Sequence, residues 1–215
     1  MSALLTTAGL PNALPISGPV HRSIVALDLE GSTKHTNPVK GELRRTLYDL
    51  LNQALSGAGI GDKDLERPTD RGDGVLILIR PHDDVPKTVV LGKLIPMLTA
   101  LLTDHNASVT SPELRLRLRA VVHAGEIHQD GRGFYGDDLD AAFRMLDSPA
   151  LKKALKDAAV SPLALVVSDE IFNGIIQHGY FNEGPYQPLV RVRVGNRQRR
   201  GWIHIPPTTY PDGVG

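Results

Sequence analysis

Two short runs constrain this chain more than anything else in it. Ser23 to Leu29 reads SIVALDL, and Gly74 to Ile79 reads GVLILI. Both are apolar and β-branched over a length that fits a buried strand. The first carries an acid, Asp28, where an ionised carboxylate is expensive unless a cation or donors compensate it. The second opens directly behind Asp70-Arg71-Gly72-Asp73. A fold that buries these runs must also decide what to do with their acids.

The intervening segments read as helices. Val39 to Leu55 places Leu43, Leu47, Leu50, Leu51 and Ala54 at helical spacing, with Asn37-Pro38 as N-cap and first helical position. GAGIGD ends that helix, and Leu65 to Asp70 can pair with GVLILI as a hairpin. Pro86 to Asp104 reads as a second amphipathic helix. Leu114 to Val122, LRLRLRAVV, alternates first as a strand with one wet face does. Gly136 to Leu155 reads as one helix, Leu163 to Val167 as a strand, and Ser168 to His178 as a helix capped by Ser168. Strands at 189–194 and 201–205 flank a polar turn, GNRQRR. The order is β-α-β-β-α-β with an α-β-α-β-β extension, an α+β domain whose first half has the ferredoxin-like order. Residues 1–20, rich in Pro, Gly and Ser, read as an extended arm, 21–206 as the domain, and 207–215 as a flexible tail.

Length and charge narrow the function. A chain of 215 residues with 41% hydrophobic residues suits one domain with a full core. Lys plus Arg and Asp plus Glu are both 24, so no net field favours nucleic acid or an anionic membrane. There is no cysteine, hence no disulfide, thiolate metal site or cysteine nucleophile. The start has no basic n-region, its apolar run is broken by Pro and Gly, and no stretch approaches the roughly 18 apolar residues of a membrane span. The expected compartment is the cytoplasm.

Three segments carry candidate chemistry. Ala26 to Thr33, ALDLEGST, sets Asp28 before a small Gly31-Ser32-Thr33 turn whose amides could approach phosphate oxygens. Alone, it also reads as a strand-end Asp capping a loop. Asp73-Gly74 equally reads as a hairpin turn. If adjacent antiparallel strands bring Asp28 and Asp73 together, the pair suits Mg²⁺ or Mn²⁺ sharing substrate phosphate oxygens. The third segment, RLRAVVHAGEI followed by GFYGDDLDAAFRM, puts Asp140 and Arg144 four apart on one helix face, which on its own reads as a surface ion pair. His123 and His128 lack the further close ligands that zinc requires. Arg191, Arg193, Arg197, Arg199 and Arg200 read as a solvated turn, with phosphate binding as the alternative.

Taken together, ALDLEGST, GDGVLILI and RLRAVVHAGEI…GFYGDDLDAAFRM resemble the signature blocks of class III nucleotidyl cyclases, in order and over about Ser23 to Leu146. The resemblance implies that family's ferredoxin-like fold, with a central, mostly antiparallel sheet flanked by helices. It also implies conversion of a nucleoside triphosphate to a 3′,5′-cyclic monophosphate with two Mn²⁺ or Mg²⁺ ions per site. Asp28 and Asp73 fall on the metal-binding aspartates, and the Leu29 carbonyl on an extra ligand. The backbone of Glu30, Gly31, Ser32 and Thr33 falls on the phosphate loop. Arg144 falls on the transition-state arginine and Asp140 on the ribose-orienting asparagine, both supplied across a head-to-tail homodimer.

Two departures bear on the base. Where the adenylyl cyclases carry an adenine-reading Lys and Asp, this chain has Thr69 and Gly133. Asp140 in place of Asn also changes how a ribose could be held, since an ionised carboxylate accepts but cannot donate. A compact cyclase-like domain without the adenine pair, with a tail running LDSPALKKAL, LALVVSDEIF and WIHIP, resembles the pyrimidine cyclases of bacterial Pycsar antiviral systems. That resemblance implies UTP as preferred substrate, cyclic UMP as product, and a separate effector that responds to it. Tyr48, on the first helix and facing the Asp28 end of the sheet, and Arg71 are the candidate base contacts. Two other readings stay open: a degenerate cyclase-like module that only binds nucleotides, and a purine cyclase with relocated base contacts.

Overall fold

The computed structural model describes residues 18–180 and 184–208, so most of the expected N-terminal arm and all but the first two residues of the expected tail lie outside it. The SIVALDL run lies in β1 (Val20–Leu29) and GVLILI forms β3 (Gly74–Ile79), paired antiparallel from Ser23↔Ile79 to Asp28↔Gly74. Between them come α1 (Asn37–Gly57), with Thr36 as N-cap and Pro38 in its first turn, and the two-residue β2 (Thr69–Asp70). The expected 65–70 hairpin arm is present as β2 and a bridge from Leu65 to Ile79.

The second helical segment is α2 (Lys87–Val89), a π-helical turn at Val90–Leu94, and α3 (Ile95–Ser108). Pro96 has no N–H to donate into the turn before it, which accounts for the wide turn there. β4 (Leu118–Gln129) starts later and runs further than the alternating LRLRLR suggests, because it pairs with β1 from Leu29↔Leu118 to Val20↔Ile127. Leu114, expected to open that strand, instead ends a 3₁₀ turn at Pro112–Leu114. β5 (Phe134–Tyr135) pairs back on β4.

The helix expected over 136–155 is two helices, α4 (Asp137–Leu146) and α5 (Pro149–Asp157). Pro149 disfavours helical backbone at Ser148, whose hydroxyl instead accepts from the Leu151 amide at 3.3 Å as the cap of α5. β6 (Leu163–Ser168) follows, then α6 (Asp169–Gly174), capped by Ser168 as expected but broken at Ile175 before a 3₁₀ turn. The last hairpin is β7 (Gln187–Val194) and β8 (Arg197–His204). Its turn is only Gly195-Asn196, with Gly195 at φ 55, so the arginines expected in a turn are strand residues.

The strands form one sheet in the order β2-β3-β1-β4-β6-β8-β7, with β4 and β6 the parallel pair. Alternation splits β1 between two cores. Val25, Leu27 and Leu29 pack with α1 and α3, while Ile24 and Ala26 pack with α4 and α5. Each such fully buried Leu or Ile contributes about 1.5–3 kcal/mol. The architecture is the expected α+β one, a mostly antiparallel sheet with helices on both faces. Among the described residues no helix is long and apolar enough to cross a membrane.

Candidate active site

The two acids meet where β1 ends and β3 begins. Asp28 lies opposite Gly74 in the register, and the Leu29 amide donates to the Asp73 carbonyl at 3.0 Å. Gly74 permits this: a Cβ there would sit 2.3 Å from the Leu27 carbonyl oxygen. Arg71 to Gly74 close as a tight turn, with Gly72 at φ 83 and its amide on Asp70 Oδ1 at 2.8 Å. Asp73 accepts from the Ser32 hydroxyl at 2.5 Å, and Asp28 is ion-paired with Arg119 of β4. Burial pushes the Asp28 carboxyl above its usual range; Arg119 offsets part of this, while Asp73 and Asp147 add to it.

After β1 the chain turns through Gly31, at φ 72, into a short 3₁₀ turn at Ser32–Lys34 that leads to α1. Ser32 is buried against Asp73, and the Glu30 amide is engaged by the Arg117 carbonyl at 2.9 Å. An oxyanion cradle on this loop is therefore left to Gly31, Ser32 and Thr33, and the Glu30 side chain faces Arg117 at 3.4 Å.

Two cavities flank Asp73. One, of about 500 Å³, is lined by Leu29, Ser32, Thr33, Lys40, Arg44, Gly72 and Asp73. The other, of about 210 Å³, holds Asp28, Arg71, Asp73, Phe143 and Asp147 among its lining. The Arg71 guanidinium lies 3.8 Å over the Phe143 ring, which fixes it against α4.

Tyr48 lines neither cavity. It packs on the α1 face of the sheet, the face of Leu27 and Leu29, and burial raises its hydroxyl pKa beside Asp70 and Arg44. Asp28 instead shares strand parity with Ile24 and Ala26, on the α4 face. Asp140 and Arg144 are exposed on α4, line neither cavity, and make no ion pair among the described residues. They do share a helical stripe with Asp147, which lines the smaller cavity. Thr69 and Gly133 are both exposed.

The donor set fits a hard divalent cation. Asp28 and Asp73 are adjacent carboxylates, Asp28 held above its usual range chiefly by burial, and Leu29 lines the larger cavity beside Asp73. Among the described residues no group of three or more His, Asp or Glu could hold a metal by itself, so substrate and backbone oxygens would complete the shell. His123 and His128 do not meet: His123 is buried between Asp138 and Glu170, at 3.5 and 3.7 Å, and His128 stacks on Tyr135. Of the terminal arginines, Arg199 pairs with Asp138 and Glu170 and Arg200 with Asp169, away from both cavities. Arg119, Phe143, Asp147, Lys40 and Arg44 were not singled out by sequence. The i,i+4 spacing of Lys40 and Arg44, just behind the Gly-Ser-Thr turn, was the signal available.

No protein-family model and no curated protein sequence matches this chain. Solved structures do. The chain is similar to an adenylate/guanylate cyclase/hydrolase from Silicibacter pomeroyi, with 20% identity and a TM-score of 0.62 over 88% of this chain and 99% of that one. It is similar to the guanylyl cyclase Cya2, with 14% identity and a TM-score of 0.59 over 87% and 93%. It is also similar to the adenylyl cyclase CyaB from P. aeruginosa, with 14% identity and a TM-score of 0.57 over 93% and 99%. At these identities the likeness is one of architecture, and on it the chain has the fold of the adenylyl and guanylyl cyclase domains.

Proposed function

We propose that this protein is a nucleotidyl cyclase of the class III type, closing the ribose 3′-oxygen of a nucleoside triphosphate onto its α-phosphorus with loss of pyrophosphate. The observation that carries this is Asp28 beside Asp73 at the mouth of a Gly-Ser-Thr turn, within a cyclase-like fold. Asp28 and Asp73, with the Leu29 carbonyl, would hold two Mg²⁺ or Mn²⁺ ions, which when bound supply Lewis acidity toward the reacting hydroxyl and the phosphates. The amides of Gly31 to Thr33 hold phosphate oxygens.

Arg144 and Asp140 act from a second copy in a head-to-tail homodimer, which agrees with their exposure and lack of ion pairs. Arg144 stabilises charge at the α-phosphate, a role worth about 2.7–4 kcal/mol when one such donor is lost. Asp140 accepts from the ribose.

The base is a pyrimidine, with UTP preferred and cyclic UMP the product. Thr69 and Gly133 offer no Lys–Asp pair to an adenine edge, and Arg71, held on Phe143, lines the cavity that contains Asp28. Arg71 carries only donors, which suit a uracil carbonyl oxygen and equally O2 and N3 of cytosine, so UTP is preferred on the resemblance to the uridylate cyclases. The product would act in the cytoplasm on a separate cyclic-nucleotide-responsive effector, in antiviral signalling.

The test is incubation of purified protein with ATP, GTP, CTP and UTP at equal concentration with Mn²⁺, followed by chromatography of the products. Cyclic UMP should predominate, with purine triphosphates at least about tenfold poorer in kcat/KM, roughly 1.4 kcal/mol of discrimination. Predominant cyclic AMP or cyclic GMP overturns the base assignment alone. No cyclic product from any triphosphate overturns the enzyme in favour of a nucleotide-binding module.

A further inference from the structure

The cavity between α1 and the Asp73 turn contains two cations that the mechanism above leaves without a task. Lys40 and Arg44 line it together with Ser32, Thr33 and Asp73. The helix gives no reason for them. Lys40 stands in the first turn of α1, where the aligned backbone dipoles favour acids, and that turn carries none. Lys40 and Arg44 are four residues apart, so two like charges share one helical face, an arrangement that weakens a helix.

Their partners differ. Arg44 is gripped by Asp70 through both terminal nitrogens, at 3.1 and 2.5 Å. Lys40 is half-buried, and among the described residues no carboxylate pairs with it. A half-buried lysine without a carboxylate partner, lining one cavity with a second cation and the Gly-Ser-Thr turn, suits an anionic ligand. The anion must also tolerate Asp73 on the opposite wall, which selects a polyphosphate that brings divalent cations over a lone carboxylate ligand.

We propose that Lys40 holds the terminal phosphate of the triphosphate, and that Arg44 adds a second contact by exchanging Asp70 for phosphate oxygens. The nucleotide's identity rests on the cyclase reading, but the polyphosphate chemistry does not. Inorganic tripolyphosphate is therefore the probe that separates the two.

Full-length wild type, Lys40→Met and Lys40→Arg are titrated with tripolyphosphate and Mg²⁺ by calorimetry, alongside steady-state kinetics on the best nucleoside triphosphate and inhibition by pyrophosphate. Lys40→Met should weaken tripolyphosphate and pyrophosphate about tenfold and raise KM by the same factor, with kcat held within about twofold. Lys40→Arg, which keeps the charge, should recover most of the loss. A melting temperature equal to wild type shows that the part-exposed substitution leaves the fold intact. Tripolyphosphate binding by Lys40→Met within about twofold of wild type, or no binding by wild type, overturns the assignment. Binding that depends on Lys40 in a protein making no cyclic product supports this site while overturning the cyclase.

Discussion

Asp28 carries its charge at a cost to the fold. Its carboxyl is raised by burial, then by Asp73 and Asp147, and Arg119 restores only part. For an acid with a raised folded pKa, the penalty is absent below the unfolded value of 3.8 and complete above the folded one. At pH 7 stability is therefore the lower of the two, and a neutral isostere should help. Asp28→Asn keeps an oxygen for Arg119 and should hold or raise Tm. Asp28→Ala should lower stability by about 1–3 kcal/mol, because it strips the partner from a buried guanidinium. Both, like Asp73→Ala, should lose more than about nine-tenths of product formation in Mn²⁺. Thermal scans at pH 7 with a product assay check this; Asp28→Asn melting below Asp28→Ala reverses the expected order. These two acids were legible because an acid in an apolar run and an Asp-Gly before another run are both local oddities. Arg119 was not, because only the pairing of β1 with β4, 91 residues apart, turns a residue of an alternating strand toward Asp28.

Element boundaries followed local chemistry wherever it was consulted and went astray where periodicity alone was used. The apolar stripe of α4 continues in phase into α5, so spacing merges them, yet Ser148-Pro149 is a cap and first-turn pair that separates them. The same happened at the last hairpin, where the polar character of RQRR concealed strand residues behind a two-residue Gly-Asn turn. Sheet order was beyond reach, since nothing local says that β6 enters beside β4 in parallel. Glycines give a test at this scale with opposite signs. Gly74→Ala forces a Cβ onto the Leu27 carbonyl and must spread β1 from β3. Urea unfolding should show a loss of about 1–3 kcal/mol, and the Mn²⁺ concentration for half-maximal activity should rise. Gly41 lies in α1 with nothing within 4 Å of an added Cβ, so Gly41→Ala should gain about 0.5–1 kcal/mol and keep full turnover.

At the scale of the whole molecule, α4 divides its labour. Phe143, with Asp147 at the helix's C-cap, lines a cavity of its own chain, whereas Asp140 and Arg144 are exposed and line neither cavity. In the proposed homodimer each site takes its acids from one copy and its arginine from the other. Asp73→Ala and Arg144→Ala, each inactive alone, should then regain about a quarter of wild-type activity when mixed, because half the dimers are mixed and each of those has one intact site of two. Activity that stays at background while tagged subunits demonstrably exchange would place both groups in one chain. Asp73, finally, is the one residue among those described that lines both cavities. If the smaller cavity takes the nucleoside and the larger the phosphates, as proposed, the turn is a poor target for redesigning base preference: a shape change made for the nucleoside would be transmitted to the phosphates, and selectivity would be exchanged for speed. Phe143, Leu146 and Asp147 border the smaller cavity and not the larger, so on that assignment a library confined to them could drift through different bases while the phosphate contacts stay as they are.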